Sequence, residues 1–516
     1  MDQVMQLVAD RVPVFASVAL ILGTAFLFSI LRSSKGGVDK IPLVGNELGN
    51  VEQRRKAYLS NAKDLYQQGY QRFKNSTFRL TDTDGEKIVL PRSLLDEARR
   101  LPEDYLNISK AFEKSNEQKY TGLGGNQIHT DFLIHLIRSD LTHNLNRING
   151  RLTEETARAV AEELGPCEDW TAENVYSKLL RIVAIVSGNI FLGPELCRRE
   201  EWVNSAITYT VDMFTAIGKL KQWSPWTRFI GQYYVPELKS VSEHRRKCHE
   251  FLAPVIAERR QQMKQGVAMP DDMLQWMMNK TGDFKLGDDD LSIIVLNLSL
   301  AAIHTTTITT ISVLYDLVIR PDLVQELRKE ISAVMEQSGG VLSTHSLYDM
   351  KLLDSVMKES QRTNPGSLVR FVRYVDNAVT LSDGTHLPAG AMVEANHANI
   401  LNDPQLYSYP ESFDAHRFMN LRKGTVEDPM AYKNKEQYQF VTVTKDFMAF
   451  GYGRHACPGR FFAANEIKLM LSRILLDYDI KMPEGFTERY PNLSMGLDAL
   501  PDPTKDLMLK RVKAHV

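Results

Sequence analysis

Three patterns of apolar and polar positions divide this chain. From Val12 to Leu31 no residue is charged and Leu, Ile, Val, Ala and Phe dominate, with Pro13 in the first turn, where a missing amide hydrogen is tolerated. At about 1.5 Å per residue such a helix spans roughly 30 Å, the hydrocarbon thickness of a bilayer. The run is longer than a signal-peptide core and exits through Leu31-Arg32-Ser33-Ser34-Lys35, not a small-residue cleavage site. Arg32, Lys35 and Lys40 follow it, whereas Asp2, Asp10 and Arg11 precede it, so the positive-inside rule leaves the rest of the chain in the cytosol.

The second pattern is helical. Leu136 to Leu164 reads as one helix, and Val241 to Met278 as another with a break near Gly266 to Pro270. Asp288-Asp289-Asp290 offer N-cap chemistry to a run from Leu291 to Arg320 that contains neither Gly nor Pro and stops at Pro321. Its middle, Ala301-Ala302-Ile303-His304-Thr305-Thr306-Thr307, sets polar side chains inside an apolar helix. Thr307, Thr309 and Thr310 are expected to bond back to their own helix. Ala301 and Ala302 leave room beside Thr305 for a ligand. Arg460 to Asp479 is a further buried helix without Gly or Pro. The third pattern is extended: Phe78 to Leu90 around Asp84-Gly85, and Val369 to Leu381 followed by Ser382-Asp383-Gly384, read as hairpins. The fold class is therefore mostly α with small β-sheets. No linker, repeat or low-complexity tract divides the 516 residues, so residues 1–35 form an anchor (span about 12–31) and 36–516 one large catalytic domain.

A net charge of −2 with 24% charged residues gives no basis for nucleic-acid binding. Cys167, Cys197, Cys248 and Cys457 show neither zinc-site pairs nor disulfide-scaffold density, which fits a reducing compartment. No Gly-rich dinucleotide fingerprint follows a strand.

The chemistry concentrates in Phe450-Gly451-Tyr452-Gly453-Arg454-His455-Ala456-Cys457-Pro458-Gly459. Gly453 and Gly459 can take positive φ and leave no Cβ beneath a flat cofactor, and Pro458 stiffens the exit. The helix that starts after Cys457 favours a thiolate at its N-terminus, and Phe450 would cover the sulfur. A lone intracellular cysteine is ordinarily a buried structural thiol. The joint spacing of Phe450, Gly453, His455, Cys457 and Gly459 instead resembles the haem-binding loop of the cytochrome P-450 monooxygenases.

That resemblance implies the cytochrome P-450 fold and haem b held through the Cys457 thiolate. It implies that Thr305 helps hold dioxygen and deliver protons. The family's usual acid beside that threonine is here His304, either a proton relay or a buried structural residue. Arg370 and Arg373 lie where the family offers an arginine to a haem propionate, with position favouring Arg373 and His455 as a second partner. Glu359 and Arg362, three apart on one helical face, would join Arg417 in a buried charged network. The family's Trp/Arg pair on an early helix is missing; His143 or Arg147 is the available substitute. Ala301, Ala302, Ile303, Leu368 and Val369 are the candidate substrate contacts, and the aromatics from Tyr209 to Tyr234 fall where the family places a lid, or else serve packing and membrane contact.

The implied activity uses dioxygen and electrons from NADPH through a separate cytochrome P-450 reductase, with cytochrome b5 as a further donor, at the endoplasmic reticulum membrane. Phe191-Leu192-Gly193-Pro194-Glu195 and Lys358-Glu359-Ser360-Gln361-Arg362-Thr363-Asn364-Pro365 resemble fungal members that oxidise terpenoid or indole-diterpene scaffolds in specialised metabolism. A sterol, fatty acid or xenobiotic hydroxylase and a reductase-independent isomerase or dehydratase are the alternatives. A Cys457/His455 hydrolase dyad is disfavoured by the tight loop, and a haem sensor would leave the threonine-bearing helix without a use.

Overall fold

Helix α7 (Asp288–Leu317) runs through the middle of the molecule, and most other elements are placed by what they bury against it. The computed structural model describes residues 38–512 together with Ser17, Leu20, Gly23 and Thr24. Apart from those four residues, the apolar segment 12–31 lies outside the described part.

α7 is apolar around most of its circumference, so it needs neighbours on all sides. They are α4 (Val175–Phe191), α5 (Glu200–Gln222), α6 (Glu237–Lys264) and α11 (Arg460–Asp477). Among the described residues α7 is the one helix long and apolar enough to cross a membrane, yet its Leu291, Ile294, Val295, Ile311 and Leu314 are packed in the protein core. The acidic triplet lies inside its first turn, not before it: Asp290 accepts the Gly287 amide at 2.8 Å. α7 stops at Leu317 because Pro321 already serves as the first residue of α8 (Pro321–Gln337), where its missing amide hydrogen costs nothing.

The helix expected over Leu136–Leu164 is divided into α2 (Gln127–Leu136), a wide π-turn at Ile137–Leu141, and α3 (Leu145–Leu164). Side chains cause the break. Thr142 donates both its amide (3.0 Å) and its hydroxyl (2.8 Å) to the Ile137 carbonyl, and Asn144 donates its side-chain amide to Asp140 O at 2.8 Å. The expected break near Gly266 separates α6 from Met273–Lys280.

The largest sheet has the order β1-β2-β5-β4-β3. β1 (Phe78–Asp82) and β2 (Gly85–Leu90) form the anticipated hairpin, and β5 (Met392–Ala395) pairs parallel to β2 and antiparallel to β4 (Arg370–Val375). β3 (Leu106–Asn107) closes the far edge. The extended run from Val369 is shorter than expected, because Val379–Thr380 leaves the sheet and pairs with His386–Leu387. Within β4 the register slips between Arg370 and Arg373, with Phe371 at φ +59°. This bulge sends the two arginines into different surroundings. β6 (Asn492–Met495) and β7 (Asp498–Pro501) form a separate hairpin, and Ser367 bridges to Asp498. A mostly helical chain with small sheets is what the pattern predicted.

Candidate active site

The cysteine loop is closed by its own backbone. The Cys457 amide donates to Phe450 O at 2.8 Å, Ala456 to Gly453 O at 3.1 Å, and Gly451 to Met448 O at 2.8 Å. Gly453 takes φ +78°, as anticipated, and a Cβ there would stand 3.3 Å from the Arg99 Cβ. Gly459 does not take positive φ. It caps α11 at φ −87°, and Gly451, at φ +81°, is the second left-handed residue of the loop. Gly459 instead leaves the cavity wall without a side chain.

The Cys457 sulfur is free of any disulfide and lines this cavity. Burial pushes its thiol up, against the amides of Gly459 and Arg460 and the Arg460 guanidinium, which favour the thiolate. A metal cation at that sulfur would reverse the balance, since a coordinating thiol is deprotonated. Phe450 meets Phe440 edge-on at 5.2 Å and lines the cavity beside the sulfur.

The cavity, about 470 Å³, lies between α7 and the start of α11. That volume suits a ligand site. Ala301, Ala302 and Thr305 line it from α7, Phe450, Cys457 and Gly459 line it from the cysteine loop, and the π-turn supplies Ile137 and Leu141. The Thr305 hydroxyl donates to Ala301 O at 2.7 Å, so it lines the cavity while bonded to its own helix. Thr309 and Thr310 bond back as expected, each at 2.9 Å to the residue four before. Thr307 does not: its buried hydroxyl has no partner among the described residues.

His304 is not in the cavity wall. Its Nε2 donates to Ile207 O of α5 at 3.0 Å, and burial lowers its pKa. Of the two readings, this geometry matches the structural one. Ile303, Leu368 and Val369 are also absent from the wall and pack in the protein core. Leu298, Ile308, Thr309, Ser312 and Phe191 line the cavity instead and were missed.

Cations gather at one side of the loop. Arg373, 6% exposed, has no carboxylate within ion-pair distance among the described residues; it donates to Val372 O at 2.8 Å, and burial pushes it down to about 10. His455 pairs with Glu103, and Arg454 lies 3.6 Å from the same carboxylate. The π-turn contributes Arg138, which donates to Arg454 O at 2.8 Å. His143 and Arg147 do not reach this side: His143 bonds Ser139 O at 2.7 Å and Arg147 pairs with Asp271 at 3.0 Å. His455 and Arg454 share the Glu103 carboxylate, Arg373 feels it only at longer range and Arg138 binds the Arg454 carbonyl, which leaves donor capacity for the carboxylates of a bound cofactor.

The expected charged network is formed. Glu359 accepts from Arg362 Nε at 2.9 Å and Nη2 at 2.8 Å, from Arg417 Nε at 3.1 Å, and from the Asp414 amide at 2.9 Å. Arg362 also donates to Leu401 O, Pro410 O and Ser412 O, so every buried charge has partners. The network fixes α9 (Lys351–Thr363), whose Ser360 and Gln361 line the cavity, against α10 (Arg417–Lys423).

The profile of the Cytochrome P-450 family matches residues 129–506. The chain is 36% identical to the cytochrome P-450 monooxygenase braC of Annulohypoxylon truncatum over 97% of this chain and 99% of the relative. It is 34% identical to the cytochrome P-450 monooxygenase BOA4 of Botryotinia fuckeliana over 95% of each. To the cytochrome P-450 monooxygenase paxP of Penicillium paxilli it is 35% identical over 88% of this chain and 86% of the relative.

Proposed function

Because the chain belongs to the cytochrome P-450 family and is a cytochrome P-450 monooxygenase, we propose that it oxidises a bulky apolar terpenoid or indole-alkaloid scaffold in fungal specialised metabolism. The observation that carries this reading is one cavity lined both by Cys457 and by the small residues Ala301 and Ala302 of α7. The residues present fit haem: a thiol, pushed up by burial, that a metal would ionise, a glycine-lined wall, and a buried cation, Arg373, without a carboxylate in ion-pair distance among the described residues. When bound, haem supplies the activation of dioxygen and the transfer of one oxygen atom to a carbon–hydrogen bond.

Cys457 would hold the iron, and Arg373 and His455, joined by Arg138 and Arg454, would hold the carboxylates. Phe450 would limit water access to the sulfur. The Thr305 hydroxyl, donating to Ala301 O, keeps lone pairs free toward the cavity, where they can accept a proton and pass on another after rotation. His304 stands apart from that path, held by Ile207. Electrons come from NADPH through a separate reductase, with cytochrome b5 as a second donor. Segment 12–31 anchors the chain in the endoplasmic reticulum membrane with the catalytic domain cytosolic. The exposed Trp226, Phe229, Ile230 and Tyr233, between α5 and α6, support a lipid-facing surface. The fungal sources of the relatives support the metabolic setting.

The reduced, carbon monoxide-bound spectrum tests the ligation. The wild type should give the long-wavelength band of thiolate-bound haem and Cys457→Ser should lose it; an imidazole-type band in the wild type rejects the reading. Turnover of a scaffold without NADPH and reductase would favour the isomerase or dehydratase alternative.

A further inference from the structure

One cation and one anion in the cavity wall are left unpaired by the rest of the fold. Arg370, at the start of β4, makes a single hydrogen bond among the described residues, to the adjacent Val369 carbonyl at 3.1 Å, and has no carboxylate within ion-pair distance. Asp498, at the start of β7, also lines the cavity, and its carboxylate accepts no hydrogen bond among the described residues. The two act on each other electrostatically, and the surrounding protein lowers Arg370 and raises Asp498, although Arg370 is only half-buried and Asp498 is exposed. The other titratable neighbour of Arg370 is His397, whose Nε2 accepts the Met448 amide at 3.0 Å; that bond and burial keep the ring neutral. It supplies no counter-charge. The arrangement is held in place: Phe371, next to Arg370, is buried in the left-handed region with the Arg373 guanidinium 4.3 Å over its ring.

Once a ligand displaces the water beside them, these two charges, out of contact with each other, are costly unless a polar group joins them. The chemistry of that group follows from the pair. A carboxylate would gain Arg370 but meet the like charge of Asp498, and an ammonium would meet Arg370. A ketone would leave Asp498 unpaired. A hydroxyl satisfies both, accepting from the guanidinium and donating to the carboxylate. Asp498 likewise makes Arg370 a poor partner for a haem propionate, whereas Arg373 is the arginine that feels Glu103 and Arg454.

We propose that Arg370 and Asp498 form a hydroxyl-recognition subsite, so that the enzyme acts on an apolar substrate already carrying an alcohol. This rests on the monooxygenase reading above and narrows its substrate class. The supplying step is an earlier oxygenation, or a cyclisation quenched by water, that leaves an alcohol on the scaffold.

The test titrates the holoenzyme with matched hydrocarbon, alcohol and acid, following the Soret spin-state shift: abietadiene, abietadienol and abietic acid, then farnesene, farnesol and farnesoic acid. In at least one series the alcohol should bind about tenfold tighter than the hydrocarbon, the worth of a charge-assisted hydrogen bond. Arg370→Met and Asp498→Asn should each remove that preference and leave hydrocarbon affinity unchanged. Equal affinities within both series, no shift with either alcohol, tightest binding by the acid, or a preference that survives both substitutions overturns the subsite. Loss of haem from Arg370→Met alone also overturns it, by assigning Arg370 to the cofactor. The wild-type carbon monoxide spectrum reports separately on thiolate ligation, so the two readings fail by different signals.

Discussion

Replacing Glu359 by glutamine keeps the shape of the side chain and removes the only carboxylate of the buried network. Glu359 and Arg362 are both 0% exposed, and Arg417 is 8% exposed. The carboxylate receives three guanidinium nitrogens and one amide; in glutamine one oxygen becomes an NH₂ facing those donors. Breaking a buried pair costs about 3–5 kcal/mol, because the remaining charge is stranded. Here the Arg362 guanidinium keeps three backbone carbonyls, which puts Glu359→Gln near the lower figure. With a urea dependence of about 3 kcal/mol per M or steeper for a chain of this size, that is a midpoint lowered by up to about 1 M. The comparison is Arg246→Ala, which removes a side chain 55% exposed that pairs with Glu243 and Glu250, and should cost about 0.5 kcal/mol or less. Urea midpoints followed by circular dichroism on both variants decide the matter. A Glu359→Gln midpoint no lower than that of Arg246→Ala would refute the claim that this network fixes α9.

Thr305→Val keeps the volume beside Ala301 and removes the hydroxyl; product per NADPH consumed should fall by about tenfold or more with substrate affinity unchanged, whereas His304→Gln should leave that ratio near wild type. Coupling that depends on His304 and not on Thr305 would reverse the roles assigned to them. Glu466, fully buried with Ser187 as its hydrogen-bond partner, is pushed by burial up to about 8. Its carboxyl titrates near about 4.3 in the unfolded chain, so the folded protein holds the extra proton and stability falls as pH rises from about 4 to about 8, then levels off. Glu466→Gln abolishes that contribution: its advantage over wild type in urea midpoint should grow between pH 5 and about 8 and stay constant above. A constant difference over that range would show that Glu466 does not titrate there.

The legible parts of the site were those whose chemistry is local in sequence. The cysteine loop, its closing glycines and the helix after it lie within one short segment, and only the choice of Gly451 over Gly459 for the left-handed turn escaped. The wall of α7 was only partly read, although its period holds the answer. Leu298, Ala301, Thr305 and Ser312 follow a spacing of three, four and seven, which keeps them on one face, while Ile303 and Thr307 project from the other and His304 lies beyond its edge. The polar stretch drew attention to consecutive residues when the helix sorts them by angle. The convergence of Arg370 and Asp498 on one cavity was not legible at all. It depends on a bulge at Phe371, which turns β4, and on a hairpin more than a hundred residues later that presents Asp498 to the same cavity. Pattern along the chain therefore locates the cysteine-bearing half of this site, and only the tertiary fold assembles the half that would select a substrate.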